Sequence, residues 1–240
     1  MGKRPHREGC RIVAHASKHR RQLGPNALRG PGRLNSVPGG NVDIYIIRHG
    51  QTDANKRHEL QGRRDVPLNE QGCEQARRVH GLLEGSSVTF DRVYSSPLRR
   101  AVETAGIVSG GGVPVETDDR LLEMDYGPYE GMDLREPAPE VVTFFSDFAH
   151  NPAPDGMEQL PAVAARAGDF MEDVVLAPGT CVLVSTHAIL MKGILEYLTP
   201  TSRGSYWSRF IGNCAVYRCT WHDGTFSVPV EVTEPSTRPR

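Results

Sequence analysis

The chain predicts an α/β fold, a three-layer α/β/α sandwich with a mostly parallel central sheet. Two observations carry this. Short apolar runs alternate with longer segments of helical periodicity, which is the pattern of strands crossed over by helices. Two of the runs, Val42 to Ile47 and Cys181 to Thr186, read as buried strands, and each delivers a histidine close to its C-terminal end, where open α/β sheets bind their ligands.

The elements follow in order. Strand Val42–Ile47 leads into Arg48-His49-Gly50-Gln51 and a loop, Thr52 to Leu68, with turns at Gln61-Gly62 and Asp65-Val66-Pro67. Ala76, Val79, Leu82 and Leu83 recur at helical spacing, so a helix is expected from about Glu70 to Leu83. A short strand, Arg92 to Tyr94, precedes a helix over Leu98 to Val108, with serines at its cap and a proline in its first turn. Val113 to Glu116 reads as a strand, Pro137 to His150 as a helix crowded with Val141, Val142, Phe144, Phe145 and Phe148, and Met157 to Leu176 as a long helix. After strand Cys181–Thr186 comes a helix over Ala188 to Leu198. The end of the chain, Asn213 to Thr220 and Thr225 to Val232, reads as a hairpin around Asp223-Gly224.

Chemistry concentrates at the strand ends. Histidine is a natural nucleophile near neutral pH, because its ordinary pKa near 6.5 leaves it largely uncharged. Arginine supplies a permanently charged fork that matches phosphate oxygens. Arg48-His49 at one strand tip, Arg100 at a helix N-terminus, a carboxylate at Glu123 and His187 at the second tip therefore point to phosphate chemistry. Taken singly, each has a plainer explanation: a sheet-edge cap for Arg48-His49, a solvated helix residue for Arg100, a satisfied core histidine for His187. Arg99 reads as surface charge. The remaining histidines, His6, His15, His19, His58, His80, His150 and His222, have solvent as their default.

With these pieces in order, the chain resembles the histidine phosphatase superfamily, also called phosphoglycerate mutase-like, over roughly Val42 to Val232. The Arg-His-Gly-x-Thr signature is met by Arg48 to Thr52 and its following Asn by Asn55. The Ser-x-Leu-x-Arg-Ala box is met by Ser96 to Ala101, the catalytic Glu by Glu123 and the second His by His187. The resemblance implies a phosphoglycerate mutase-like fold and a transient phosphohistidine on His49, with Arg48, Arg100 and His187 as a cationic cradle. It makes Glu123 the acid that protonates the leaving group and later activates water. Leu121, Leu122 and Met124 are expected to desolvate Glu123 and help keep it protonated. Thr52, Asn55, Gln61, Gly62 and Tyr126 are further candidates for contacting phosphate or substrate. No metal and no cofactor are expected, since the fixed cations already supply the positive charge.

The resemblance also implies that the segment after Glu123, about Tyr126 to Leu160, caps the pocket and selects substrate. Phe144, Phe145 and Phe148 could line its mouth or pack it onto the core. Asp155-Gly156-Met157-Glu158 departs from the Gly-Gly-Glu-Ser common there. Cofactor-dependent phosphoglycerate mutases usually carry Trp before the Asn and a long basic insertion after the Glu. Here Ala54 precedes Asn55, and Arg135 is the one basic residue between Asp133 and Asp155. The expected activity is that of a metal-independent phosphomonoesterase acting on a small phosphorylated metabolite. A 2,3-bisphosphoglycerate-dependent mutase, or a binding module that has lost turnover, are the alternatives.

Composition agrees with one domain over residues 41–240: the chain has 240 residues, 38% of them hydrophobic, and the motifs span most of it. Five cysteines in no Cys-x-x-Cys or metal-ligand spacing imply free thiols in a reducing cytoplasm. No apolar run approaches the about 18 residues of a membrane span. Charge is uneven: residues 1–40 hold nine Lys or Arg against one acid, while the rest of the chain is acidic. Such a tail is expected to be disordered. It lacks the apolar stretch of a secretory signal, and a nucleic-acid contact, a transit segment, a dispensable leader and a misplaced start are all compatible with it. Oligomeric state is left open by the sequence, a homodimer included.

Overall fold

A computed structural model describes residues 40–148 and 150–233. The basic tail expected over residues 1–40 therefore lies, except for Gly40, outside the described residues. The elements are β1 (Val42–Arg48), α1 (Asp53–Arg57), α2 (Glu70–Gly85), β2 (Arg92–Ser95), α3 (Arg99–Val108), β3 (Val115–Thr117), α4 (Pro139–Ser146), α5 (Leu160–Val174), β4 (Cys181–Thr186), α6 (Ala188–Leu198), β5 (Val216–His222), β6 (Thr225–Phe226) and β7 (Val230–Glu231). They build one sheet in the order β3-β2-β4-β1-β5-β6, with β7 also paired to β5. Pairing is parallel from β3 through β1, and β5 closes the sheet antiparallel to β1.

Alternate residues of β1 feed two cores, which is why its sequence is continuously apolar. Ile44 and Ile46 belong to the core with α5 and α6, through Met171, Leu190 and Ile194. Tyr45 and Ile47 belong to the core with α2 and α3, through Ala76, Leu83, Ala105 and Val108. The register then sets the site. Arg48 pairs with Thr186 across β1 and β4, so His49 and His187 leave adjacent strands at the same level. Ser95 pairs with Ser185, which brings Ser96 to the same edge.

The structure departs from the sequence reading in several places. The loop expected over Thr52 to Leu68 contains α1, five residues long and too short to show periodicity; Thr52 caps it by accepting the Asn55 amide, in a reciprocal capping box with the Asn55 side chain. Helix α4 is shorter than Pro137 to His150, and α5 begins at Leu160, not Met157, after a turn closed by Met157 N–H on the Pro154 carbonyl and with Pro161 in the first helical turn. β3 lies two residues later at its start than expected. The hairpin is real, with Asp223 and Gly224 both at positive φ, yet its return strand breaks into two short pieces. β5 starts only at Val216, since Cys214 N–H is used on the carbonyls of Arg48 and His49.

The expected cap segment is tied down by backbone. Glu59 bridges Asp133, Leu60 N–H donates to Met132, and Gly131 N–H donates to Leu60. Phe144 and Phe148 are buried in the core, as the packing alternative held, while Phe145 is 37% exposed beside them. Among the described residues, no helix is long and apolar enough to cross a membrane.

Candidate active site

His49 is buried at the tip of β1 and its orientation is fixed by its own loop. Nδ1 lies 2.7 Å from the Gly50 carbonyl. A carbonyl only accepts, so the ring donates there, which leaves the lone pair on Nε2. Burial, reinforced by Arg100 and Arg48, holds the His49 pKa well below 6.5. The imidazole is thus neutral and its free nitrogen nucleophilic at neutral pH. The loop is held on three further sides. Gly50 N–H donates to Thr104 Oγ1 at 3.0 Å, Asn213 Nδ2 donates to the His49 carbonyl at 3.1 Å, and Gly50 approaches Gly72 so closely that a Cβ on it would sit 2.5 Å from the Gly72 carbonyl oxygen.

Two arginines flank this nitrogen, each anchored by carbonyls so that part of the guanidinium is left over. Arg100 Nη1 donates to Arg64 O and Nη2 to Gly62 O, both at 2.7 Å. Gly62 makes this possible with φ +55°, a left-handed turn that favours glycine. Arg48 Nη1 donates to the Ile211 carbonyl. The Nε of both arginines is buried without a protein partner. Burial brings the Arg100 pKa down to about 10, which still leaves it charged at neutral pH.

His187 completes the ring of donors. Its imidazole centroid is 5.1 Å from that of His49, its Nε2 is 2.8 Å from Ser96 Oγ, and its Nδ1 is buried without a partner. Ser96 Oγ accepts the Leu98 N–H and can donate its own proton to Nε2, a pairing in which the ring N–H sits on Nδ1. Burial, then Arg100, His49 and Arg48, hold the His187 pKa well below 6.5. In the ligand-free site this favours a neutral His187, whereas the expectation from the sequence was a cationic cradle of Arg48, Arg100 and His187 around a bound phosphoryl group.

Glu123 sits across from this group at the N-terminus of α6. Its Oε1 accepts N–H bonds from Met124 (3.0 Å), Ile189 (3.2 Å) and Leu190 (3.3 Å), whereas Oε2 accepts only that of Ile189 (3.3 Å). Its hydrogen-bond partners are backbone amides, and the apolar neighbours expected to desolvate it lie on either side in the chain. Leu121 and Met124 are buried in the core and Leu122 is partly exposed. Oε2 is the less satisfied oxygen.

The weaker candidates divide. Thr52 Oγ1 donates to Gln61 Oε1 at 2.8 Å, and Asn55 Oδ1 accepts from Thr52 N–H and Asn213 Nδ2. Thr52 is therefore a scaffold, while the amide nitrogens of Asn55 and Gln61 have no hydrogen-bond partner among the described residues. Gly62 acts through the carbonyl that orients Arg100. Tyr126 is buried, and burial beside Glu123 pushes its pKa well above 10, so its hydroxyl is a neutral donor. Arg99 is exposed and pairs with Glu103, as a surface residue does.

Several contributors escaped the sequence reading. Ser96 lay inside a recognised motif without a role of its own. Thr104, Asn213 and the Ile211 carbonyl gave no signal. Arg63 and Arg166 hold the strand of chain that carries Glu123: Arg63 Nε donates to Glu123 O, Arg166 Nη1 donates to Arg120 O and Leu122 O, and both arginines pair with Glu158.

Comparison with known proteins places this geometry. The sequence model of the histidine phosphatase superfamily (branch 1) matches residues 44–231. A 2,3-bisphosphoglycerate-dependent phosphoglycerate mutase from Parvibaculum lavamentivorans is 31% identical over 170 residues, 67% of this chain and 81% of the relative. A putative phosphoserine phosphatase 2 from Hydrogenobacter thermophilus is 29% identical over 177 residues, 72% of this chain and 86% of the relative. Among solved structures, a phosphoserine phosphatase mutant from Entamoeba histolytica in complex with phosphoserine superposes with a TM-score of 0.67 at 25% identity, covering 82% of this chain and 98% of that one.

Proposed function

We propose, from the premise that this chain belongs to branch 1 of the histidine phosphatase superfamily, that it is a phosphomonoesterase working through a phosphohistidine on His49. The observation that carries the reading is the grouping of buried polar groups at these strand tips: His49, with its free Nε2, has the His187 ring centre 5.1 Å away and Arg48 and Arg100 near enough to lower the pKa of both histidines, and Arg48 Nε, Arg100 Nε and His187 Nδ1 have no protein partner. Three donors around one nucleophile match a phosphoryl group, whose transition state spreads charge over three equatorial oxygens.

In the first step His49 Nε2 forms a bond to phosphorus and the ester P–O bond breaks. The proton on Glu123 Oε2 passes to the departing alkoxide, and the alcohol leaves. In the second, Glu123 takes a proton from water, the water oxygen attacks phosphorus, the P–N bond breaks and inorganic phosphate departs with Glu123 protonated again. His49 keeps its Nδ1 proton on the Gly50 carbonyl throughout, so the ring moves no proton of its own.

Hydrolysis is preferred over mutase transfer because a mutase must retain a doubly phosphorylated intermediate. The cap offers little for that: Arg135 is exposed and already paired with Asp133. The free thiols of Cys181, Cys214 and Cys219 fit a reducing cytoplasm. The mutase relative favours the second reading, transfer between the hydroxyls of phosphoglycerate. The deciding experiment is p-nitrophenyl phosphate hydrolysis in excess EDTA. Turnover is expected to be chelator-insensitive and lost in His49→Ala, with an acid-labile phosphoenzyme trapped only in the parent. Label trapped on another residue sinks the proposal, and efficient isomerisation of 3-phosphoglycerate primed with 2,3-bisphosphoglycerate moves the assignment to the mutase.

A further inference from the structure

We propose that Thr104 is a positioning residue for the nucleophile: its hydroxyl, presented by α3, fixes Gly50, whose carbonyl holds the His49 ring proton, and so decides which ring nitrogen can attack. The inference deepens the phosphomonoesterase reading and, for its bearing on turnover, rests on it. Thr104 has no solvent exposure and lies four residues after Arg100 on α3. Its Oγ1 donates to the Arg100 carbonyl at 2.7 Å, the bond a threonine makes to the residue one turn earlier in a helix. With the hydroxyl proton spent there, Oγ1 offers a lone pair on its other side, and the Gly50 N–H donates into it at 3.0 Å. No second acceptor for this N–H is present among the described residues.

The peptide unit between His49 and Gly50 is pinned at both ends. The His49 carbonyl accepts from Asn213 Nδ2 at 3.1 Å and from Cys214 N–H at 3.3 Å, and the Gly50 N–H is held by Thr104. The Gly50 carbonyl then meets His49 Nδ1 at 2.7 Å. On the far side of Gly50, Gln51 N–H donates to Gln75 Oε1 at 2.9 Å, but Gln75 is partly exposed and water can take its place. Water has no such access to Thr104. Without the hydroxyl, the Gly50 N–H is a buried donor left unpaired, a cost that turning the peptide toward another acceptor relieves. Turning it moves the Gly50 carbonyl off Nδ1. A ring released in this way is free to carry its proton on Nε2, and the lone pair for attack is then lost. The same hydroxyl ties the nucleophile loop to the turn of α3 that carries Arg100, so the attacking ring and a phosphate-binding cation share one point of reference.

Isotope-labelled histidine NMR near neutral pH reads the tautomer directly, with His49 identified by the signals missing from His49→Ala. The parent ring should carry its proton on Nδ1 and none on Nε2. Thr104→Val, which keeps the side-chain shape and removes the hydroxyl, should show the Nε2–H form as well, and Thr104→Ser should restore the parent spectrum. Phosphoenzyme formation should slow by about 10- to 100-fold in Thr104→Val, the order of loss that a displaced reacting group brings, while competitive inhibition by inorganic phosphate, which reads Arg48 and Arg100, holds. An unchanged tautomer in Thr104→Val overturns the inference whatever the rate does. So does a changed tautomer with an unchanged rate, and so does a parallel loss of phosphate binding, which would make Thr104 a support for α3. Should Thr104→Val not fold, the parent and Thr104→Ser carry the test: slow hydrogen exchange at the Gly50 amide together with the Nδ1–H ring in both supports the inference, and fast exchange or an Nε2–H ring in either overturns it. If the parent forms no phosphoenzyme, the phosphatase reading fails, and the tautomer comparison alone judges Thr104.

Discussion

The phosphoryl side and the leaving-group side of this site are built on different principles. On the phosphoryl side, His49, His187 and Ser96 emerge from neighbouring strand tips at one level of register, and Arg100 stands at the start of α3 behind them. Each is nearly without solvent exposure and is held by backbone or a hydroxyl. On the other side, Tyr126, Phe145, Phe148, Trp207 and Lys192 come from four separate segments and touch through ring edges and faces. Strand register sets the relative positions of the first group, the kind of placement on which proximity and orientation depend. The second group can change residue by residue without disturbing the first. Glu123, the proposed acid, is the hinge between them, a buried carboxyl placed by α6 and by the Arg63–Glu158–Arg166 network.

The sharpest way to break this division is to remove the acid alone. Glu123→Gln should lower kcat on an alkyl phosphate by about 10²–10⁴-fold, the usual worth of general acid–base help. The loss on p-nitrophenyl phosphate should be much smaller in the phosphorylation step, because that leaving group departs without a proton. Burst kinetics on the two esters separate the steps. An equal loss in both bursts would mean that the carboxyl merely supports the end of α6, and the hinge would belong to the phosphoryl side.

The same asymmetry explains what could be read from the sequence. The phosphoryl residues are legible because each is covalently next to a strand or helix end that announces itself: Arg48 and His49 after an apolar run, His187 after another, Arg100 behind a Ser-Ser-Pro cap. Helix α1 was illegible, since five residues cannot display a period. Asn213, Ile211 and Glu158 were illegible for a different reason. Their partners lie 164, 163 and 95 residues away in sequence, at His49, Arg48 and Arg63, and no local pattern encodes such a meeting. The direction of the His187 pKa, set first by burial and then by Arg100, His49 and Arg48, is likewise invisible in the sequence.

A second, smaller effect follows from burying two neutral imidazoles on the phosphoryl side only. The folded pKa values of His49 and His187 lie below the ordinary 6.5. Below pH 6.5 the unfolded chain therefore binds protons that the folded chain refuses, and stability falls as pH falls. Each histidine contributes roughly 1.4 kcal/mol per pH unit in the window from its unfolded pKa down to its folded one. Urea unfolding at steps from pH 7.5 to 5.5 should show this slope, reduced by about half in His187→Asn. The acid limb of kcat/KM assigned to His49 should likewise lie below 6.5. A flat stability profile across that window would mean that the folded imidazoles accept protons normally, and a neutral resting nucleophile would have to be given up.

The smallest expected effect lies on the leaving-group side and tests whether its aromatics are more than packing. Phe145 is stacked on Phe148 at 5.4 Å and 12°, meets the Tyr126 ring edge at 6.3 Å, and still keeps 37% of its surface exposed. An aromatic pair contributes about 0.5–1.5 kcal/mol beyond burial. If Phe145 offers its open face to an aryl leaving group, Phe145→Ala should raise KM for aryl phosphates by about 2- to 10-fold and leave kcat in place, since the contact is the same in ground and transition states. Alkyl phosphates, which have no ring to stack, should barely respond. Phe144→Ala behaves differently, because Phe144 is 1% exposed and its loss opens a cavity in the core. It should lower stability by about 3–5 kcal/mol and act on all substrates alike. A Phe145→Ala variant that loses stability without discriminating aryl from alkyl esters would fold this residue back into the core, with Phe144 and Phe148.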